Sequence, residues 1–210
     1  MKIEVWSDFV CPFCYIGKRN MEEALEQSGM KDQVEIEYKS FQLNPDAKKH
    51  YDDNINQIIA DKYGITVEKA AASNENIIAT AKNVGLDFNF EGIQPTNTFD
   101  GHRLSHYAKE EGKMSAFTEV MMRSYFTDSR NISDREVLLD IIEEVGLNKD
   151  KALEILNASD YGNEIKKDID EARRYGVGGV PFFVFDKKAA LSGAQPVEAF
   201  VETMNKLKEA

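Results

Sequence analysis

The sequence predicts a mixed α/β fold in which a helical block separates two short segments that contain strands. Three observations support this prediction. The chain alternates polar and apolar residues near its start, as half-buried strands do. Apolar residues recur at helical spacing through residues 46–175, between glycine and proline breaks. After Gly176, short runs of β-branched and aromatic residues return before a last helical stretch.

The first segment predicts a β-α-β unit. Residues 2–6 ("KIEVW") and 33–43 ("QVEIEYKSFQL") alternate in polarity, and the Asn-Pro pair at 44–45 closes the second strand. Between these strands, apolar residues from Tyr15 onward keep helical spacing until Gly29, a residue type suited to end a helix.

The middle of the chain predicts an all-helical insertion. Residues that favour helix N-termini precede several of its apolar periods, namely Thr66, Thr96 to Thr98, and Ser133. Glu136 follows Ser133 at the spacing of a capping box. We therefore expect residues 46–175 to form a helical insertion domain.

The last segment predicts a β-β-α unit. Two short apolar runs flank the polar "DKK" turn in "GVGGVPFFVFDKKAALSG", which indicates a hairpin. Pro196 suits the first turn of a final helix, because its missing N–H would be unpaired there anyway. We expect residues 1–45 and 176–210 to form one α/β domain that the insertion interrupts.

Composition narrows the range of functions. The net charge is −11, from 37 acidic and 26 basic residues, and the basic residues are scattered, so nucleic-acid binding is not expected. No apolar stretch is long enough to cross a membrane, and the first residues lack the apolar block of a secretory signal. We expect a soluble, cytoplasmic protein with no membrane partner. In a reducing compartment, two cysteines favour chemistry over a structural bridge.

Both cysteines lie in "SDFVCPFCYIG", where the first predicted strand meets the first predicted helix. A helix N-terminus allows two sulfurs at this spacing to join, and its positive end stabilises a thiolate on the first one. We predict that Cys11 is the attacking sulfur and that Cys14, about one turn into the helix, resolves the mixed disulfide. Pro12 suits the first helical turn and makes this loop rigid.

The cysteine spacing leaves two other interpretations open. It is also half of a zinc site, which His102 and His106, one helical turn apart, would complete. Alternatively, both cysteines are ordinary buried residues. Each histidine, His50 included, can also be a solvated or hydrogen-bonded side chain.

A proline near the end of the chain supports the redox interpretation. "GGVPFF" places Pro181 at the start of a predicted strand, where a cis X–Pro bond is tolerated. A cis Val180–Pro181 bond would present the backbone N–H and C=O of Val180 beside Cys11 to an extended substrate. A trans proline in an edge strand is the alternative.

Four separated motifs together resemble one known family. "CPFCYIG", "FQLNP", "NTFDGHRL" and "GVGGVPFFVF…LSGAQP", in this order, resemble the DsbA-like thioredoxin-fold proteins, specifically the FrnE-like branch. The resemblance implies a thioredoxin-like fold with a large all-helical insertion, and thiol–disulfide oxidoreductase activity that reduces, forms or isomerises disulfides. It implies no cofactor beyond the redox-active Cys11–Cys14 disulfide, with glutathione as an optional co-substrate.

The resemblance also implies roles for individual residues. Cys11 is the nucleophile, Cys14 the resolving cysteine and Pro181 the cis proline that faces them. The residues expected to contact substrate are Pro12, Phe13, Val180, Pro181, His102 and Arg103, the last two from the "HRL" motif. Strongly oxidising DsbA enzymes carry histidine where this chain has Phe13. We therefore expect a weaker oxidant, with a potential between theirs and that of thioredoxin.

Two further functions remain as alternatives. The related 2-hydroxychromene-2-carboxylate isomerases and kappa-class glutathione transferases carry serine at the position of Cys11, and the first alternative is their glutathione-dependent chemistry. The second is a non-enzymatic module whose helical block is a docking surface.

Expected partners are protein or small-molecule thiols and disulfides, and the expected oligomeric state is a monomer or homodimer. Six residues of the helical block are candidates for an apolar surface that contacts substrate, although a helical core explains most of them more simply. These residues are Phe99, Phe117, Met121, Met122, Tyr125 and Phe126.

Overall fold

A computed structural model describes residues 1–209. The chain forms two compact units, the first made of residues 1–43 and the chain from Tyr161 onward, the second of Asn44–Asp160. The predicted insertion, 46–175, therefore extends too far at its C-terminal end, because the helix at 162–174 belongs to the first unit.

The first unit contains a four-stranded mixed sheet in the order β2-β1-β3-β4. Strands β1 and β2 are parallel, whereas β1–β3 and β3–β4 pair antiparallel. Helix α1 connects β1 to β2, which confirms the predicted β-α-β unit, and the hairpin with the helix after it forms the β-β-α unit. The elements of this unit are β1 (Lys2–Ser7), α1 (Pro12–Gln27), a short 3₁₀ helix (Lys31–Gln33), β2 (Glu35–Ser40), α8 (Gly162–Arg174), β3 (Phe182–Phe185), β4 (Ala189–Ser192) and α9 (Val197–Lys208).

One face of the sheet carries the main core of this unit. Ile3 and Val5 of β1 pair with Phe185 and Phe183 of β3, and all four side chains are buried. Phe200 of α9 meets the Phe183 ring edge to face, with 4.8 Å between ring centroids. Helices α1 and α9 pack against each other on this face.

Helix α8 covers the opposite face of the sheet, which is why the helical insertion ends before this helix. The indole Nε1 of Trp6 donates to the backbone oxygen of Asp168 at 2.9 Å, and Trp6 forms a buried apolar cluster with Ala172 and Val184. The Asp168 carboxylate accepts the backbone N–H of Ser40, at the end of β2, at 2.8 Å. Because these contacts join α8 to β1, β2 and β3, the helix is part of the sheet unit.

The β3–β4 hairpin closes through a tight turn. Asp186 and Lys187 occupy its central positions with φ of 47° and 57°, and the N–H of Lys188 donates to the Phe185 oxygen at 2.9 Å. The Asp186 carboxylate also accepts the backbone N–H of Lys2 at 2.7 Å, so the turn is anchored to the start of β1.

The second unit is helical, as predicted. Thr66 caps α3 by accepting the N–H of Lys69 at 3.3 Å. The predicted cap at Ser133 is displaced by one residue, because the Asp134 side chain caps α6 by accepting the N–H of Glu136. The helices are α2 (Ile55–Tyr63), α3 (Val67–Asn83), α4 (Phe99–Glu110), α5 (Met114–Phe126), α6 (Arg135–Glu144) and α7 (Lys149–Asn157).

Most of the candidate apolar surface is core of this helical unit. Phe117, Met121, Met122, Tyr125 and Phe126 are all buried, whereas Phe99 is exposed. Across residues 1–209, no helix is both long and apolar enough to cross a bilayer.

Candidate active site

The cysteine pair lies at the junction of β1 and α1. Cys11 occupies the N-cap position with an extended backbone, and Pro12 follows in the first turn, as predicted. The N–H of Cys11 donates to the Asp8 oxygen at 3.1 Å, and the N–H of Cys14 donates to the Cys11 oxygen at 3.0 Å. These bonds turn the chain tightly into the helix, so that the first sulfur lies at the positive end of the helix dipole.

Cys11 faces the loop that precedes β3. Its Sγ donates to the backbone oxygen of Val180 at 3.5 Å, and the Val180–Pro181 peptide bond is cis. Both cysteines are free thiols, and both side chains are buried. The structure therefore brings Cys11, Val180 and Pro181 together from opposite ends of the chain.

The close approach of α1 to this loop depends on Gly17, a residue for which the sequence analysis predicted no role. A Cβ atom at Gly17 would lie 3.1 Å from Cγ of Pro181, 3.2 Å from Cζ of Phe183 and 3.4 Å from the Cα of Ala194. A glycine inside a helical pattern is a signal for such packing. Gly17 thus allows the helix that carries both cysteines to pack directly on the Pro181 loop.

Two hydrogen bonds join the loop between β4 and α9 to α1 and to the Pro181 loop. The amide of Asn20, on α1, donates to the Gln195 oxygen at 2.8 Å. The N–H of Gly193 donates to the Pro181 oxygen at 2.8 Å. The "LSGAQP" motif therefore binds the Pro181 loop through Gly193 and α1 through Gln195, and so connects the two.

Asp8 connects the cysteine loop to the residues that follow β2. Its carboxylate is buried and accepts the backbone N–H of Leu43 at 2.8 Å. The N–H of Phe41 donates to the backbone oxygen of Ser7 at 3.2 Å. The "FQL" residues after β2 are thereby tied to the end of β1, directly before the cysteines.

The surroundings of Cys14 suppress the ionisation of its thiol. Burial raises the pKa of the Cys14 thiol well above its ordinary value, and the adjacent Cys11 raises it further. The Ser7 side chain and the Asp8 backbone act in the opposite direction and lower the pKa of Cys14. At neutral pH the Cys14 thiol is accordingly protonated.

The substrate residues predicted beside the cysteines differ in exposure. Phe13 is 45% exposed, although both neighbouring thiols have at most 4% of their surface exposed. Pro12 and Val180 are partly buried. An exposed aromatic ring between two buried thiols provides apolar surface that a substrate could cover.

His102 and Arg103 lie on α4 of the helical unit, and both are buried. The Arg103 guanidinium donates to the backbone oxygens of Asp160 and Ala158, each at 2.8 Å, and also to the Ile155 oxygen. Its Nη1 lies 3.0 Å from the Asp100 carboxylate. These bonds give Arg103 a structural role at the end of α7, while substrate contact by His102 or Arg103 remains a prediction.

His50 is exposed, and its Nδ1 lies 3.0 Å from the Asn131 amide nitrogen. Within residues 1–209, no group of three or more His, Cys, Asp and Glu side chains is arranged to hold a metal ion.

The β2-β1-β3-β4 sheet, with a Cys-x-x-Cys pair at the start of α1 and a cis proline before β3, defines a thioredoxin-fold protein. The chain belongs to the DsbA-like thioredoxin domain family, whose model matches residues 2–205. This membership confirms the predicted family and fold class.

Solved structures agree with this assignment. The chain is 36% identical to a probable DsbA oxidoreductase from Streptomyces coelicolor, with a TM-score of 0.93 over 98% of this chain and 89% of that one. It shares its fold at 14% identity with the cytosolic disulfide reductase DsbM from Pseudomonas aeruginosa, with a TM-score of 0.71 over the full length of both chains. A 2-hydroxychromene-2-carboxylate isomerase also has this fold, at 14% identity and a TM-score of 0.72 over 99% of this chain and 96% of that one.

Proposed function

We propose that the protein is a thiol–disulfide oxidoreductase in which Cys11 attacks a disulfide and Cys14 resolves the mixed disulfide. The observation that carries this proposal is the position of the Cys11 sulfur. It lies at the N-cap of α1 and within hydrogen-bonding distance of the Val180 oxygen, in the loop of Pro181.

In the reducing direction, the Cys11 thiolate attacks one sulfur of the substrate disulfide, and the other sulfur leaves as a thiolate. The Cys14 thiol then loses its proton and attacks the Cys11 sulfur. The second substrate thiolate leaves, and the Cys11–Cys14 disulfide remains. The reverse sequence transfers that disulfide to a dithiol substrate, so both directions use the same two sulfurs.

The difference between the two thiols supports this order of events. A thiolate is the attacking species, and Cys11 lies at the N-cap of α1, the end of a helix whose dipole favours negative charge. Because burial raises the pKa of Cys14, that thiol stays protonated and does not compete for the substrate. Its attack becomes favourable only when a mixed disulfide is held at Cys11.

The loop before β3 supports binding of an extended substrate. The Val180 oxygen now accepts from the Cys11 thiol, and it would accept from a substrate N–H once Cys11 is engaged. The exposed Phe13 ring adds apolar surface beside it. Substrates are protein or small-molecule disulfides, and glutathione is a candidate small thiol because DsbM, which shares the fold, was solved with GSH.

Phe13 also bears on the redox potential. It cannot donate a hydrogen bond to the Cys11 thiolate, so the reduced form is less stabilised than in relatives with histidine there. We place the potential between those of the strong oxidants and thioredoxin, and the activity in the cytoplasm. Equilibration with glutathione redox buffers measures the potential, and a value at or above that of the strong oxidants contradicts this part of the proposal.

The decisive experiment is reduction of insulin disulfides by the Cys11→Ser and Cys14→Ala variants. Cys11→Ser should be inactive, and Cys14→Ala should accumulate a mixed disulfide with its partner, which mass spectrometry can identify. Full activity of Cys11→Ser would refute the proposal. Catalysis that survives Cys14→Ala and strictly requires glutathione would instead support the isomerase-type or transferase-type chemistry.

A further inference from the structure

A serine hydroxyl next to Cys14 has no role in the mechanism so far. Ser7 is the last residue of β1 and is buried, with 6% of its surface exposed. It follows Ile3 and Val5 at the alternation of the strand, so its side chain is on the face that α1 covers. Within residues 1–209, Ser7 Oγ forms no hydrogen bond of ordinary geometry. A buried hydroxyl left in this state costs free energy and requires an explanation.

The Cys14 sulfur provides that explanation. Burial and the neighbouring Cys11 raise the pKa of Cys14, and the two groups that lower it are the Ser7 hydroxyl and the backbone of Asp8. A neutral thiol is a weak acceptor, which is consistent with the absence of an ordinary hydrogen bond at Ser7 Oγ in the dithiol form. A thiolate is a strong acceptor, and a charge-assisted hydrogen bond to it is roughly twice as strong as a neutral one.

We propose that the Ser7 hydroxyl and the Asp8 backbone N–H form a thiolate hole that receives the negative charge of Cys14 in the resolving step. This inference rests on the proposed function. Cys14 loses its proton to solvent, and the Ser7 hydroxyl keeps its own proton and donates a hydrogen bond to the Cys14 thiolate. The Cys14 sulfur then bonds to the Cys11 sulfur, and the second substrate thiolate leaves. Ser7 thus acts on the second chemical step and not on the first.

The two steps can be observed separately with one equivalent of the aromatic disulfide 5,5′-dithiobis(2-nitrobenzoate). Attack by Cys11 releases a first coloured aryl thiolate, and attack by Cys14 on the mixed disulfide releases a second. In stopped-flow absorbance, Ser7→Ala should slow the second phase about tenfold, as expected for one hydrogen bond to a charged group. The first phase should stay within about twofold of the wild-type rate, because Cys11 does not use this hydroxyl.

Two variants control for packing. Ser7→Thr retains the hydroxyl and should recover most of the second-phase rate. Ser124 in α5 is another buried serine whose Oγ has no hydrogen-bond partner within residues 1–209, so Ser124→Ala is the matched control and should change neither phase. The pH dependence of the second phase should also move to higher pH in Ser7→Ala, which a purely structural effect would not produce. Should Ser7→Ala fold poorly by circular dichroism, Ser7→Gly removes the same hydroxyl.

An unchanged second phase in a folded Ser7→Ala or Ser7→Gly variant would overturn the inference. So would an equal slowing of both phases, or a Ser7→Thr variant as slow as Ser7→Ala. Failure of the proposed function looks different, since the wild-type protein would then release no second aryl thiolate and form no Cys11–Cys14 disulfide.

Discussion

Replacing Gly17 by alanine would insert a methyl group between α1 and the loop that carries Pro181. The new Cβ would lie 3.1 Å from a Pro181 ring carbon and 3.2 Å from the Phe183 ring. Both distances are shorter than ordinary carbon contacts of about 3.5–4.0 Å. The third neighbour, at 3.4 Å, is the backbone of Ala194, so none of the three is the end of a flexible side chain.

The expected change in stability is the difference between two terms. Alanine is favoured over glycine in a helix interior by about 1 kcal/mol, and an added methyl group in a well-packed core costs about 1–3 kcal/mol. The difference is a loss of about 0–2 kcal/mol of unfolding free energy. Because the neighbours are rigid, we expect Gly17→Ala to fall in the upper half of this range, about 1–2 kcal/mol or roughly 2–8 °C in Tm for a chain of this size. Gly17→Val should lose more, about 3 kcal/mol.

The same displacement should reduce activity, since moving α1 away from the loop separates the Cys11 sulfur from the Val180 oxygen. Thermal unfolding followed by circular dichroism and insulin reduction would measure the two effects together. Glu23→Val, at an exposed position of the same helix, is the control, and it should lose about 0.5 kcal/mol of helix propensity and about 0.2–0.5 kcal/mol from its exposed hydrogen bond with the Gln27 amide. An alanine variant at Gly17 that is more stable than wild type and equally active would refute the packing argument.

Three other predictions concern stability. Lys187→Gly should stabilise the β3–β4 hairpin by about 0.5–1 kcal/mol in urea unfolding, because glycine adopts positive φ without the strain that lysine has at 57°; a loss would show that the lysine conformation is not strained. Asp168→Ala should cost about 1–3 kcal/mol, since a backbone N–H of β2 loses its acceptor, whereas Asp168→Asn keeps an acceptor oxygen and should cost less. Although burial opposes it, pairing with Lys49 and Arg103 lowers the pKa of Asp100. The free energy of unfolding that this pairing contributes is therefore fully present above the ordinary carboxyl pKa, and it is lost as pH falls through the lowered pKa of Asp100. Asp100→Asn should remove this loss of stability with falling pH, which unfolding experiments below about pH 4 would measure.

The sequence predicted those features that depend on local pattern. Alternation over residues 2–6 and 33–43, with helical spacing between them, was sufficient to predict the β-α-β unit. The hairpin followed from two apolar runs around a polar turn. Cys11 and Pro181 could be predicted to meet because their motifs, in this order, resemble those of one fold.

Other features depend on tertiary contacts that local pattern does not contain. Helix α8 has the same helical spacing as the helices of the second unit, and only its tertiary contacts, with Trp6 and Ser40 among them, assign it to the sheet. Ser133 and Asp134 are both good caps, so the sequence could not decide between them. The bonds of Arg103 involve backbone oxygens, which no side-chain motif reveals.

The placement of β1 between β2 and β3 has a consequence for biosynthesis, because the chain is made from its N-terminus. When β1 and β2 emerge from the ribosome, β3 has not been synthesised, and all of Asn44–Asp160 is translated before it. The helical unit is continuous in sequence, and the consecutive helices α2 and α3, α4 and α5, and α6 and α7 pack in pairs, which favours rapid folding. It can therefore fold during translation. Until β3 is synthesised, β1 keeps an unpaired edge, which chaperones would have to protect.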